Sequence, residues 1–222
     1  HLDPRHYRSL IINTASPVTG EDGKLLPIVV QGAGRLNLQA ALVTGVAAHP
    51  TSLHLGSSRG SFELDRPVKL TNLSDNPASC AISVEPRQGP PPVVEPERVD
   101  MGAGGEAWFV LKWKGADWSP GQYDGYLRVR CDGAELPLSI PYWHGVSTGA
   151  VSGIRIVESI ASGKIGQPLF WAAQFRLTDE AGLPLDGIKP TVTVKSGSGA
   201  VLNVVPLTAF PGVYALHVRP AA

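Results

Sequence analysis

Charge is scarce in this sequence: Lys and Arg together number 19, Asp and Glu number 19, and all four make up 17% of 222 residues. The balance leaves no net charge, so nothing predicts the clustered basic surface that draws a protein to nucleic acid or an anionic membrane. No apolar run approaches the roughly 20 residues that span a bilayer; membrane insertion is not expected. No signal peptide opens the chain, which is uninformative if the chain is a fragment. Helix-forming stretches are also few. With 25 glycines and 20 prolines, the composition suits short strands joined by many turns, because both residues disrupt helix interiors. The length has room for one large or two modest domains.

What helix there is lies at the start. Asp3 caps a helix opened by Pro4, since a carboxylate accepts orphan amide protons and proline at the first helical position loses no needed donor. Tyr7, Leu10, Ile11 and Thr14 then fall on one face at helical spacing. The pattern predicts a second, shorter helix from about Leu38 to Val43, capped by Asn37. Between them Ser16 to Leu26 is turn-rich and polar, and beyond Val43 no convincing helix is found. Gly32-x-Gly34 has the look of a phosphate-cradling loop, but the third glycine is absent and no βαβ units follow. A tight turn needing glycine geometry is the preferred reading.

The order Asn13-Thr-Ala15, then Gly32, Gly34 and Asn37, then a final helix resembles the segment after the catalytic serine in subtilisin-like serine proteases. The resemblance covers roughly the first fifth of the chain and implies a parent that hydrolyses peptide bonds. It carries no catalytic residue, because that family's aspartate, histidine and Gly-Thr-Ser-bearing serine all lie upstream of such a tail. The chain is therefore expected to start after its own active site and to be inactive alone.

From about Pro50 to Val146 apolar residues recur with a period of two between turn clusters, as a β-sandwich requires. Four inward rows are expected: Val68, Leu70 and Asn72; Cys80, Ile82 and Val84; Phe109, Leu111 and Trp113; and Leu127, Val129 and Cys131, with Arg128 and Arg130 outward. Asp132-Gly133 marks a hairpin turn. About seven strands are counted. Ser52 to Gly56, Leu70-Thr-Asn72, Pro120-Gly-x-Tyr-x-Gly-Tyr126 and Ile140-Pro-Tyr-Trp143 also resemble, in that order, the fibronectin type III-like domain that follows the catalytic domain in many large secreted subtilases. That resemblance implies an extracellular or cell-surface location.

Cys80 and Cys131 fall on inward rows of strands that neighbour one another in a seven-strand sandwich. Two readings stay open: a disulfide, favoured by a secreted context, or two buried thiols acting as small apolar residues. Trp108 alternates with the inward row and so points outward. It either fills a contact between domains, the preferred reading, or stacks on a sugar or peptide. Gly89 to Pro92 reads as a stiff inter-strand loop in preference to a polyproline ligand.

Ser147 to Ala150 is a small-residue linker. After it Ile154 and Ile156, then Trp171, Ala173, Phe175 and Leu177, then Val192 and Val194, and finally the stretch around Val213 to Val218 alternate again. The turn from Leu177 to Pro184, the Thr191-Val-Thr-Val194 run and Pro211-Gly-Val-Tyr214 resemble bacterial immunoglobulin-like repeats of the invasin kind, which implies a spacer or adhesion role. The chain stops soon after, so a truncated module with an open edge is expected.

Residues with reactive types do not assemble into a site. Asp3, His6 and Ser9 share one helix stripe without a cleft or oxyanion hole. His49 and His54 lack a third ligand in register; Glu95 with Glu97, and Asp179 with Glu180, lie in turns where charge is usually solvated. No catalytic, cofactor or metal residue is assigned.

The expected fold class is mainly β: two tandem immunoglobulin/fibronectin-like β-sandwiches after a short helical segment, with boundaries at 1–48, 49–146 and 147–222. The expected role is that of an accessory region bracing a catalytic domain or positioning protein substrate or a surface. A carbohydrate- or cell-surface-protein-binding module, and a plain structural spacer, are the rivals. Tyr7, Leu10, Ile11, Leu36 and Leu42 should pack against the fibronectin-like sandwich or a neighbouring chain.

Overall fold

The computed structural model describes residues 2–160 and 162–221. The fold is mainly β, and the chain forms two compact units, His1–Val146 and Ser147–Ala222.

The first unit opens with α1 (Pro4–Asn13), α2 (Ile28–Gln31) and α3 (Leu38–Val43). Asp3 accepts the Arg5 amide at 2.7 Å and Pro4 starts α1; Asn37 accepts the Ala40 amide at 3.0 Å and starts α3. Both starts follow from local capping chemistry. The four-residue α2 was not foreseen, because one helical turn leaves no periodic signal.

Nine strands follow in this unit: β1 (Val46–His49), β2 (Leu53–Ser58), β3 (Phe62–Asn72), β4 (Ala78–Gln88), β5 (Val93–Glu95), β6 (Arg98–Met101), β7 (Glu106–Gly115), β8 (Gly121–Cys131) and β9 (Leu138–Val146). They form a four-stranded sheet, β1-β3-β7-β5, and a five-stranded sheet, β2-β9-β8-β4-β6. Eight of them, β2 to β9, lie in the stretch from Pro50 to Val146 where about seven were expected; β5 and β6 are too brief to show alternation. The inward rows meet between the sheets: Val68, Leu70, Phe109, Leu111, Ile82, Leu127 and Val129 are all buried in one core. Gly89 to Pro92 joins β4 to β5, and the Trp113 indole donates to the Pro90 carbonyl at 3.2 Å.

Cys80 and Cys131 face each other across the β4–β8 ladder and form a disulfide. Both sulfurs lie in the core, where the same positions would otherwise take small apolar side chains.

The second unit is one antiparallel sheet in the order β10-β11-β13-β12, from β10 (Gly153–Ser159), β11 (Leu169–Thr178), β12 (Gly199–Pro206) and β13 (Val213–Pro220). Phe175, Leu177 and Tyr214 form its small core, against which Ile188 and Val192 pack. The expected strand at Thr191 to Val194 is not one; that segment is irregular. It belongs to a loop laid over the sheet, held where the Ile188 amide donates to the Tyr214 hydroxyl at 3.1 Å and the Gly212 amide to Asp186 at 2.7 Å. Trp171 also departs from its expected inward place. It sits in an irregularity between Leu169 and Ala173 with φ 62° and is exposed. Asp179, expected to be solvated, is buried and accepts the amides of Ala181 and Leu183 at 2.9 and 2.8 Å.

Candidate functional site

The helical segment earns attention because it is anchored by polar groups and leaves its apolar ones outside. Every residue of β9 is buried, although alternation places Ser139, Pro141 and Trp143 on the outer side of its sheet. The cover comes from α1 and α2, which pack on β9, while α1 also packs on β1.

Three side chains fasten it. Asn13 donates its amide to the Thr51 carbonyl at 2.8 Å and to the Ser139 carbonyl at 3.0 Å. Ser9 donates to the Asn13 Oδ1 at 2.9 Å and accepts the Ala48 amide at 2.7 Å. Asp124 on β8, fully buried, accepts the Ile28 amide at 2.8 Å and the Arg87 Nε at 2.5 Å. These bonds satisfy backbone groups that would otherwise be left unpaired: the Ala48 amide on the edge strand β1, the Thr51 and Ser139 carbonyls, and the Ile28 amide at the start of α2. Beneath the segment Tyr126 is buried and its hydroxyl is pushed up to about 12, chiefly by desolvation.

The loop between α1 and α3 is set by glycine geometry at one point. Gly34 has φ 119°, and a Cβ there would lie 2.3 Å from the Ser16 carbonyl oxygen, where Ser16 and Arg35 form a bridge. The Gly32-x-Gly34 motif is thus a turn device. Gln31 adds to it, accepting the Val18 amide at 2.6 Å and donating to the Leu26 carbonyl. Gly125 plays a similar part in the Tyr-x-Gly-Tyr motif, since a Cβ there would meet the Tyr142 hydroxyl at 2.6 Å.

Of Tyr7, Leu10, Ile11, Leu36 and Leu42, expected to pack against the sandwich or a neighbouring chain, Leu10 alone is buried within this chain. Tyr7 and Ile11 are 51% and 47% exposed, Leu36 is exposed, and Leu42 reaches 85%. The buried face of α1 is instead Ser9, Leu10 and Asn13. Val29, Val30 and Leu38 are exposed as well.

Several of the residues weighed for chemistry have structural roles. Ser9 is consumed by its two bonds, and Asp3 by the α1 cap. His54 stacks on Trp143 at 4.9 Å between centroids, and Glu95 pairs with Lys112 at 2.5 Å. Among the described residues no group of three or more His, Cys, Asp or Glu could hold a metal ion. The sequence reading passed over His144, which is buried beside Phe62 and Trp113, with its Nε2 3.0 Å from the Ser58 hydroxyl. Burial holds its imidazole below the ordinary value, partly offset by the backbone of Leu55 and Gly56.

Trp108 lies on the outer face of the four-stranded sheet, opposite Lys69, and is 55% exposed. The Lys69 ammonium sits 5.9 Å from the indole ring and pairs with Glu106 at 2.7 Å.

No protein-family model matches the sequence, and no curated protein matches it. Solved structures similar to parts of it include the Salmonella enterica SafA pilin in complex with the SafB chaperone, at 13% identity, covering 60% of this chain and 68% of that one, with a TM-score of 0.40. A PapD-like domain of human CEP192 is similar at 11% identity over 46% of this chain and 85% of that one, TM-score 0.39. The YadV chaperone is similar at 15% identity over 63% of this chain and 68% of that one, TM-score 0.38.

Proposed function

We propose that this chain is the non-catalytic carboxy-terminal region of a secreted subtilisin-like serine endopeptidase, with 1–48 as the end of the catalytic domain and 49–146 and 147–222 as appended β domains. The observation that carries this reading is the division of α1 into two faces. Its polar face, Ser9 and Asn13, is bonded to the sandwich, while Tyr7 and Ile11 are open. The last helices of a catalytic domain would be arranged in this way, fastened inward to the accessory domain and apolar toward the catalytic body. The motif residues Asn13, Gly34 and Asn37 each have a defined task in that arrangement, as anchor, turn and cap. The Cys80–Cys131 bond supports an oxidising, extracellular location.

In this reading the β domains brace the catalytic domain or position protein substrate, and the reaction belongs to residues upstream of His1. The coding sequence immediately upstream should contain a Gly-Thr-Ser-bearing helix; its absence overturns the assignment. The chain alone should neither cleave casein nor react with a serine-directed fluorophosphonate. In the full-length protein, Ile11→Asp and Leu42→Asp should lower peptidase activity, while Trp108→Ala should leave it unchanged.

Trp108 favours a second reading as an adhesion module, because an exposed indole beside a lysine can stack on a sugar or a peptide side chain. Glycan-array binding that disappears in Trp108→Ala would support it.

A further inference from the structure

The sheet of the second unit ends on β10, an edge strand protected by two charged side chains and one register shift. Its sequence, Gly-Ile-Arg-Ile-Val-Glu-Ser, contains no proline and no lysine, the residues that most often blunt an edge. Ile154 and Ile156 lie opposite Leu177 and Phe175 and so share the face on which the small core is built. Yet they are 69% and 59% exposed, and Val157 is exposed too.

Charge on the opposite face is unbalanced. Arg155 lies directly across from Arg176, a like-charge pair that costs stability in a sheet. Arg155 has no ion-pair partner among the described residues. Among the described residues Glu158, opposite Gln174, receives that side-chain amide at 2.8 Å and pairs with no cation. The register shift between Ile156 and Glu158 puts Arg155 and Glu158 on the same face although they are three residues apart.

We propose that β10 is a self-association edge: two copies of this chain pair their β10 strands antiparallel about a two-fold axis, joining two four-stranded sheets into one. The register that sets Arg155 of one copy against Glu158 of the second also sets Ile156 against Val157 and Ile154 against Ser159. Each copy thereby supplies the carboxylate that the other's Arg155 lacks, twice by symmetry. Such an isologous contact closes at the dimer and does not propagate. The opposite edge, β12, carries no charged residue and ends at Pro206, so it has nothing to select a register.

Sedimentation velocity of the full chain over a concentration series tests this. The wild type should show a reversible dimer. Arg155→Glu and Glu158→Arg should each weaken association about tenfold or more, because two attractive cross-strand pairs become two repulsive ones. The double variant R155E/E158R should restore the dimer. That rescue separates the proposal from misfolding, which a charge swap would not cure, and far-UV circular dichroism of each variant checks the fold. A wild type that stays monomeric, single variants that dimerise normally, or a double variant without rescue would each overturn it. None of these outcomes bears on the upstream peptidase assignment.

Discussion

The Asn13 side-chain amide donates to the Ser139 carbonyl at 3.0 Å across a sequence separation of 126, and with its second bond, to Thr51, it ties α1 to the sandwich. Asn13→Asp should destabilise the first unit by about 2–4 kcal/mol in urea unfolding, since an acceptor would then confront two buried carbonyls. Ile11→Ser, on the exposed face of the same helix, should change stability by less than about 0.5 kcal/mol. Equal losses in both would contradict the assignment of faces.

Arg87 and Asp124 form a pair whose carboxylate is fully buried and whose guanidinium is mostly so. Asp124→Asn should cost about 2–3 kcal/mol, because it leaves the cation without its counter-charge and weakens the bond to the Ile28 amide. Faster hydrogen exchange at Ile28 is the local readout.

The Cys80–Cys131 disulfide closes a loop with a sequence separation of 51. Protein unfolded without reductant should titrate with no free thiol. Replacing both cysteines by alanine should lower unfolding free energy by up to about 4 kcal/mol on the chain-entropy model.

His144 should make the first unit acid-sensitive. Burial holds its folded-state value below the ordinary 6.5, so the unfolded chain binds the proton first as pH falls. Its contribution is complete above 6.5, declines as pH drops below that value, and levels off beneath the depressed folded value. His144→Gln should flatten this part of the stability profile, and NMR titration of the imidazole should give a midpoint below 6.5.

Much of this molecule was legible before folding, because the signals are local. Asp3 with Pro4, and Asn37 before Leu38, mark helix starts through bonds spanning two or three residues. The inward rows of β3, β4, β7 and β8 follow from strict alternation, and the facing of Cys80 and Cys131 follows from the same parity. Where alternation is short or broken, sequence pattern does not suffice: β1, β5 and β6 are three or four residues long, and Trp171 sits in an irregularity and is exposed.

The sequence by itself determined the helix caps, the core rows and the mainly β class, since each depends on neighbours along the chain. Only the tertiary structure decided which side of α1 is inside. Hydrophobicity selected Tyr7 and Ile11, but the surface beneath the helix presents the Ala48 amide and the carbonyls of Thr51 and Ser139. Leaving those groups buried and unpaired would cost more than leaving two apolar side chains in water, so Ser9 and Asn13 face inward.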